Sequence, residues 1–237
     1  MASILYICVR PERGAADAEH ASFLRGLGIA ELDQLDLVSE PLTPAALDRH
    51  SGFVIGGSPF NVTDAVKTPL QERVEADLER VAARALDGTA AALFTCYGIG
   101  VVTRMLGGTL TLDHPESTRA TEIQTTDAAA SDPVFGPSAP VLRVFTAHKE
   151  SAADVPPTAT LLATNADCPV QAYRVGDRLY AAQFHPEPTP QDFADRMTFY
   201  RNNGYFDAAQ FAAVEADVLA ATVSGSDLLR RFAGVVG

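Results

Sequence analysis

Cysteine is scarce in this chain. Its three cysteines, Cys8, Cys96 and Cys168, are spread over 237 residues. They are too few and too far apart in the sequence for a disulfide framework or for a metal cluster with recognisable ligand spacing. We therefore expect a protein of a reducing compartment that has no metal site and requires no cofactor.

Long apolar runs are lacking as well. No uninterrupted apolar segment approaches the roughly 18 to 20 residues that are needed to cross a bilayer. The apolar stretch at residues 4–9 has no basic segment before it and no small-residue cleavage site after it, which argues against a secretory signal. We expect a cytoplasmic protein without a membrane partner.

Positive charge is in short supply. The chain has 18 Lys and Arg residues against 30 Asp and Glu residues, which gives a formal net charge of -12. Such a charge repels phosphate backbones and anionic membrane surfaces. Nucleic acid is therefore not expected as a partner. We expect the partner to be a small-molecule substrate or a protein, including another copy of the chain.

What the sequence does contain is enough apolar material for a sizeable core, because 47% of its residues are hydrophobic. We expect one domain over residues 1–237, with residues 190–237 as a helical C-terminal extension. Strand patterns alternate with helix patterns over the first hundred residues, and shorter strands follow over residues 108–183. The pattern predicts an α/β, three-layer, flavodoxin-like sandwich with a mainly parallel central sheet and extra antiparallel strands.

The segment AALFTCYGIG is the most informative part of the chain. An apolar strand pattern at residues 90–94 ends at Cys96, and Gly98 and an apolar helix pattern follow. This is the layout of a nucleophile elbow, a sharp turn that exposes the side chain at the end of a sheet. The N-terminus of the following helix carries partial positive charge, which favours a thiolate.

The segment QFHPE places two further reactive groups after another strand pattern, residues 179–183. His185 is suited to accept the thiol proton and to protonate a leaving nitrogen, and Glu187 to hold the imidazole in one tautomer. A cysteine nucleophile requires such a base and such an orienting group. The sequence thus predicts a catalytic set of Cys96, His185 and Glu187 for covalent acyl transfer.

A glycine turn supplies candidates for binding the oxyanion. Gly57 and Ser58 directly follow the strand pattern at residues 52–55, and Tyr97 follows the predicted nucleophile. Backbone amides at such positions stabilise a developing negative charge. Because the carboxyl ends of parallel strands meet at one edge of the sheet, we expect Gly57, Cys96 and His185 to lie close together.

The motifs TCYG, QFHPE and the early GGSP resemble those of class I glutamine amidotransferases, especially free-standing proteins similar to the amidotransferase domain of GMP synthetase. The resemblance extends from the first strand to about residue 188. It implies that Cys96 is the nucleophile, His185 the base and Glu187 the third member, with the amides of Ser58 and Tyr97 in the oxyanion hole. The implied reaction is hydrolysis of glutamine to glutamate and ammonia through a γ-glutamyl thioester.

The elbow departs from the family pattern, which usually reads GxCxGHQ. Phe94 stands for the first glycine, so we expect a slightly rearranged elbow. Ile99 and Gly100 stand for His-Gln. In the family the glutamine helps to hold the substrate, so Gly100 removes a hydrogen-bonding group and opens space. A γ-glutamyl peptidase or hydrolase that acts on another γ-glutamyl compound is therefore the alternative enzyme.

Related enzymes pass their ammonia to a synthetase. This sequence has no Gly-rich loop followed by Lys-Ser/Thr that would hold a nucleotide phosphate, so a synthetase partner would be a separate protein. A non-catalytic binding or regulatory subunit with the same fold is the alternative from another class. The stretch at residues 146–151 resembles a family loop that flanks the glutamine site, and we expect its His148 to be solvated.

Overall fold

The computed structural model describes residues 3–237. Over that range, nine strands form one sheet in the order β2-β1-β3-β4-β11-β10-β9-β6-β7, and β5 pairs with β8 beside it. The strands are β1 (Ile4–Cys8), β2 (Asp33–Asp36), β3 (Gly52–Ile55), β4 (Ala91–Thr95), β5 (Leu110–Thr111), β6 (Glu116–Thr125), β7 (Val141–His148), β8 (Ser151–Ala152), β9 (Ala159–Thr164), β10 (Ala172–Val175) and β11 (Leu179–Ala182). The helices are α1 (Arg13–Leu27), α2 (Pro44–Arg49), α3 (Pro69–Leu86), α4 (Tyr97–Met105), α5 (Pro190–Met197), α6 (Phe211–Leu219) and α7 (Ser226–Val236).

The sheet has a parallel part and an antiparallel part. Strands β2, β1, β3, β4 and β11 run parallel, in the order that is typical of flavodoxin-like folds. Strands β10, β9, β6 and β7 continue the sheet in antiparallel fashion. The predicted fold class, an α/β protein with a large parallel sheet and added antiparallel strands, is confirmed.

Local sequence explains where the helices begin. Thr68 precedes α3, and its hydroxyl accepts a hydrogen bond from the backbone of Gln71 at 3.2 Å, with Pro69 at the first helical position. A side-chain cap and an early proline are the usual N-terminal signals. Helix α5 begins in the same way at Thr189, whose side chain takes part in a capping box with Asp192.

Helices cover both faces of the sheet. One buried cluster joins the side chains of α3 and α4 to the sheet, and a second joins α1 and α7 to the opposite face. Every residue of β4 is buried, as expected for a strand covered on both sides. The carboxyl ends of β3, β4 and β11 therefore lie at one edge of a rigid core.

The C-terminal helices pack on the sheet and on α1. Leu229 of α7 lies so close to α1 that a Cβ atom at Gly26 would be 2.4 Å from its Cδ1. Phe193 of α5 stacks on Phe145 of β7 with ring centroids 4.3 Å apart. We propose from this packing that the 237 residues form one domain.

None of the described helices combines the length and the apolar character that a membrane span requires.

Candidate active site

The first element of the site is the turn between β4 and α4. Cys96 has φ +52° and ψ -107°, and among residues 3–237 it is the one non-glycine residue with positive φ. Its amide donates to the carbonyl of Ala182 in β11 at 2.8 Å, and its carbonyl accepts from Ile99 at 3.2 Å. The surrounding sheet and helix thus hold a backbone conformation that costs on the order of 1–3 kcal/mol.

The elbow accommodates the bulky Phe94 through its glycine. A Cβ atom at Gly98 would lie 2.9 Å from the Cβ of Phe94 and 3.1 Å from its Cδ1. Because Gly98 has no side chain, α4 can pack on β4 without a clash between position 98 and the Phe94 side chain. Cys96 still ends up at the N-terminus of α4, 8% exposed, with its Sγ 3.9 Å from the carbonyl oxygen of Ala147.

His185 lies beside the cysteine. Its amide donates to the carbonyl of Phe145 at 2.9 Å, which ties the segment after β11 to β7. Its Nδ1 is 2.9 Å from Oε1 of Glu187, so Nε2 is the ring nitrogen that remains for Cys96. Burial lowers the pKa of His185, but the Glu187 carboxylate and the Cys96 thiol outweigh burial and raise this pKa to about 9.

A protonated imidazole is therefore the resting form of His185 near neutral pH. It stabilises negative charge on a neighbouring sulfur and carries a proton for a leaving group. Burial raises the pKa of Glu187, but His185 and Arg196 outweigh it and lower this pKa to about 2. Three of the residues that the sequence singled out thus lie together: a cysteine, a histidine and a carboxylate.

A buried ion network supports the carboxylate, and the sequence analysis missed it. Nη1 of Arg196 donates to Oε1 of Glu187 at 2.7 Å and to Oε1 of Glu19 at 3.2 Å. Glu19 also accepts from Nη2 of Arg10 at 2.6 Å and from the hydroxyl of Tyr6 at 2.7 Å. Burial alone would raise the pKa of Glu19, yet Arg10 and Arg196 hold it below its usual range.

The glycine turn after β3 reaches the same network. The Gly57 amide donates to Oε1 of Glu19 at 3.2 Å, so it is engaged within the protein and orients the turn. A Cβ atom at Gly57 would lie 2.7 Å from Nη2 of Arg10 and 2.9 Å from Cε1 of His185. The turn can therefore approach the imidazole only because this residue is glycine.

The other two candidates for the oxyanion hole are Ser58 and Tyr97. Ser58 lines a cavity together with Cys96 and His185, and its hydroxyl accepts from the amide of Phe60 at 3.2 Å. Tyr97 is the first residue of α4, where an amide has no partner within the helix. Its phenol donates to Oε1 of Glu75 at 3.0 Å, and the residue lines a cavity that Cys96 also lines.

Comparison with known proteins identifies the family. The model of the family described as "Glutamine amidotransferase class-I" matches residues 38–202. The chain belongs to the class I glutamine amidotransferases. Members of this family are amidohydrolases, and the matched residues include both Cys96 and His185.

Several curated proteins resemble parts of the chain. GMP synthase (glutamine-hydrolyzing) of Bordetella parapertussis is 32% identical over 116 residues, which are 46% of this chain and 22% of the relative. A GMP synthase (glutamine-hydrolyzing) subunit from Methanothermobacter thermautotrophicus is 30% identical over 39% of this chain and 48% of the relative. Gamma-glutamyl peptidase 3 of Arabidopsis thaliana is 28% identical over 60% of this chain and 56% of the relative. The chain thus spans from about a fifth to just over half of these relatives.

Solved structures share the fold over nearly the whole chain. A glutamine amidotransferase from Thermotoga maritima aligns with a TM-score of 0.75 at 18% identity and covers 99% of this chain and 98% of its own. A GMP synthase subunit protein from Thermoplasma acidophilum aligns with a TM-score of 0.66 at 21% identity, over 100% of this chain and 94% of its own. At these identities the likeness establishes the fold alone.

Two expectations about this amidotransferase were wrong. Gly100 does not open space, because a Cβ atom there would lie 3.1 Å from Cγ2 of Val62 and 3.2 Å from Oε1 of Glu150. His148 is not solvated: it is 4% exposed, and its Nε2 is 2.8 Å from Oε2 of Glu116. In both cases a carboxylate from a distant part of the sequence lies against the residue, Glu150 against Gly100 and Glu116 against His148.

Two groups of potential metal ligands occur among the described residues, and in each a hydrogen bond joins the histidine to one carboxylate. In each group, a carboxylate oxygen accepts from a histidine and from a further side chain: Gln171 at 2.7 Å in the first group, Arg196 in the second. In each group the histidine and this carboxylate oxygen therefore already have hydrogen-bond partners within the protein. The two groups consist of Glu116, His148 and Cys168, and of Glu19, His185 and Glu187.

Removing Arg196 tests the buried network. We expect Arg196→Met to lower the free energy of unfolding by about 3–5 kcal/mol at pH 8, because Glu19 and Glu187 lose a shared cation. A carboxylate whose pKa is lowered by folding stabilises the fold at pH values above its unfolded-state pKa of about 4.3. This contribution is lost as the pH falls through the folded-state pKa. Without Arg196 both pKa values rise, so the destabilisation should shrink between pH 8 and pH 5.

Urea unfolding at the two pH values measures this effect. Arg25→Met is the matched control, because Arg25 pairs with Asp192 at the surface, where its side chain is 51% exposed. We expect it to cost at most about 1 kcal/mol, without the same pH dependence. An equal loss in both variants would contradict the role of the network.

Proposed function

We propose that this chain hydrolyses a γ-glutamyl amide through a thioester on Cys96. The observation that carries the proposal is the placement of Cys96 at a positive-φ elbow beside a His185 whose Nδ1 is held by Glu187 at 2.9 Å. A strained turn at a helix N-terminus, with a base and its orienting carboxylate in contact, is an arrangement suited to an activated nucleophile.

The chemistry follows from the positions of these groups. The proton of the Cys96 thiol passes to His185, the sulfur attacks the amide carbon, and the amides of Ser58 and Tyr97 bind the negative oxygen that forms. His185 gives this proton to the leaving nitrogen, the carbon–nitrogen bond breaks, and the amine leaves. Water then attacks the thioester while His185 takes a proton from it, and His185 returns that proton to the departing sulfur, which releases glutamate and restores the thiol.

Glutamine is the first candidate substrate, because the chain belongs to the class I glutamine amidotransferases. The direct test is intact-mass spectrometry of the purified protein quenched in acid during turnover. A mass increase equal to one glutamyl group, located on Cys96 by peptide mapping, is the expected result. Release of ammonia from glutamine without any adduct on Cys96, or an adduct elsewhere, would contradict the mechanism.

A γ-glutamyl peptidase is the second candidate. Gly100 carries no side chain at the position where the family usually has glutamine, and one relative is named gamma-glutamyl peptidase 3. Rates for glutamine and for a set of γ-glutamyl dipeptides, measured on the same preparation, separate the two candidates. Turnover of the dipeptides with no turnover of glutamine would favour the peptidase.

A separate synthetase is the partner that we propose if glutamine is the substrate. One relative is itself named as a subunit of GMP synthase. Ammonia release by the isolated chain should then be slow and should rise when the synthetase is added. A chain that binds a partner but forms no acyl group on Cys96 would instead be a non-catalytic subunit.

A further inference from the structure

A cavity lies beside Cys96 and His185 on the side of the C-terminal extension. Its apolar wall consists of two side chains of α5 and two that follow this helix in the chain: Phe193, Met197, Tyr205 and Phe206. We call the space that these residues line the C-terminal cavity. The match to the family model ends at residue 202, so Tyr205 and Phe206 lie outside the part of the chain that the family model matches.

The size and the lining of the C-terminal cavity suit a small apolar group. Its volume is about 40 Å³. One water molecule requires about 10–15 Å³, so the cavity has room for only a few non-hydrogen atoms. Ammonia, the leaving group of glutamine, gains nothing from an apolar wall. A substituted amine buries its apolar substituent there, which favours binding.

Arg196 borders the same cavity and has unused donors. The residue is 3% exposed, and its Nη1 donates to Glu187 and to Glu19. Its Nε and Nη2 are buried and have no hydrogen-bond partner among residues 3–237. A guanidinium carries five N–H donors, and a donor that is buried without an acceptor is unfavourable. A negatively charged ligand group that reaches Arg196 removes this penalty.

Arg10 is a second buried cation at the cavity. It is 6% exposed, its Nη2 donates to Glu19 at 2.6 Å, and its Nε has no partner within the part of the chain that the structure describes. Its guanidinium carbon lies 5.3 Å from the centroid of the Tyr200 ring, a contact that favours this position. A Cβ atom at Gly57 would lie 2.7 Å from Nη2 of Arg10 and 2.9 Å from Cε1 of His185. The guanidinium and the base are therefore neighbours.

This arrangement matches the leaving half of a γ-glutamyl dipeptide. In an α-amino acid, the carboxylate and the nitrogen are attached to the same carbon. A cation that binds the carboxylate must therefore lie close to the base that protonates the nitrogen, as Arg10 lies close to His185. Arginine is well suited to this task because its planar donors match a carboxylate. The side chain on the same carbon then faces the apolar wall.

We propose that the C-terminal cavity binds the leaving amino acid of a γ-glutamyl dipeptide, with its α-carboxylate on Arg10 and Arg196 and its small apolar side chain against the apolar wall. The proposal rests on the proposed function and deepens its second candidate. It makes a γ-glutamyl dipeptide, rather than glutamine, the preferred substrate.

The reaction keeps the steps proposed for the thioester. The bond between the γ-carbon and the amino acid nitrogen breaks as the bond to the sulfur of Cys96 forms, and His185 gives the nitrogen its proton. The free amino acid leaves from the C-terminal cavity. Water then hydrolyses the thioester to glutamate. Arg10 and Arg196 transfer no proton and act by holding the leaving half in place.

The test compares two substrates that differ only in the carboxylate, L-γ-glutamyl-L-alanine and L-γ-glutamyl-L-alaninamide. The measurement is kcat/KM for glutamate release. For the wild type we expect a value roughly 10 to 100 times higher for the acid, because hydrogen bonds between charged groups are stronger than those to a neutral amide. Equal values for the two substrates would overturn the proposal.

Arg10→Met should reduce this preference by roughly tenfold, because one of the two cations is lost. Arg10→Lys restores the charge and should recover part of the preference. The matched control is Arg13→Met at the exposed first residue of α1, which should leave the preference unchanged. A merely structural role of Arg10 would lower kcat/KM for both substrates alike, and an unchanged ratio in Arg10→Met would contradict the proposal.

A second comparison on the wild type keeps the proposal testable if Arg10→Met fails to fold. L-γ-glutamyl-L-tryptophan should have a kcat/KM roughly tenfold or more below that of the alanine dipeptide, because an indole ring exceeds the space in the C-terminal cavity. Equal values for the tryptophan and alanine dipeptides would show that the side chain does not enter the cavity and would refute the proposal.

Failure of the proposed function gives a different result. If neither glutamine nor the dipeptides leave a glutamyl group on Cys96, the proposed function fails, and the cavity proposal falls with it. If glutamine forms this adduct and the dipeptides are not hydrolysed, the cavity proposal is refuted and the thioester mechanism stands.

Discussion

Cys96→Ala is expected to lower the turnover of glutamine or of γ-glutamyl dipeptides by roughly 10⁴-fold or more. Loss of a covalent nucleophile removes the two-step pathway, and the base and the oxyanion donors cannot act on an amide without it. The measurement is release of glutamate over time at saturating substrate. The fold should persist, because alanine replaces a small side chain at a position that the sheet and helix hold through backbone hydrogen bonds.

Cys168→Ala is the matched control for this variant. Burial raises the pKa of the Cys168 thiol to about 12, so this cysteine remains a neutral thiol at working pH and is not a nucleophile. We expect the control to keep wild-type turnover. Equal activity of Cys96→Ala and the wild type would remove Cys96 from the mechanism, whatever the behaviour of Cys168.

Glu187→Gln is expected to lower kcat by roughly 10² to 10⁴-fold and to move the alkaline limb of the pH profile to lower pH. An amide in place of the carboxylate fails to hold the imidazole tautomer and fails to stabilise the imidazolium. In the wild type, burial lowers the pKa of His185, and Glu187 and Cys96 outweigh burial to raise it to about 9. Without the carboxylate charge, that pKa falls.

The direction of the pH effect follows from the proton on His185. Above its pKa, the imidazole has no proton for the leaving nitrogen, so wild-type activity should decline above about pH 9. The raised pKa of His185 also stabilises the folded state. This stabilisation is fully present below the unfolded-state pKa of about 6.5 and is lost as the pH rises through the folded-state pKa. Glu187→Gln should weaken this dependence of stability on pH as well.

A pH profile of kcat/KM and a series of urea titrations from pH 6 to pH 10 measure both effects. Glu122→Gln, on the exposed face of β6, controls for the loss of one negative charge. If the alkaline limb stays at the same pH in Glu187→Gln and in the wild type, the coupling between His185 and Glu187 is refuted.

The elbow and the histidine segment were accessible from sequence because their signals are local. A strand pattern, Cys96 and Gly98 occupy one short segment, and His185 and Glu187 are two residues apart. The turn that follows each strand then sets the direction in which the side chain projects from the sheet. Their mutual proximity also followed, because parallel strands direct their carboxyl ends to one edge.

The supporting residues were not accessible in the same way. Glu19 and Arg196 are 177 residues apart, and no local pattern marks an α1 glutamate or an α5 arginine as partners of Glu187. No local pattern marks Glu150 as buried either; the fold places its Oε1 3.2 Å from the position of a Cβ atom at Gly100. Its burial depends on the amides of Val62 and Thr63, which belong to another loop.

The sequence by itself determined the α/β class and the family, and it predicted the three side chains of the proposed site, since each is recorded in periodicity or in a short motif. The tertiary structure alone decided which charges are buried together around them. Burial and Coulomb interactions depend on distances between elements rather than on spacing along the chain. For this reason the raised pKa of His185 and the ion network around Glu187 became visible only when the elements were assembled.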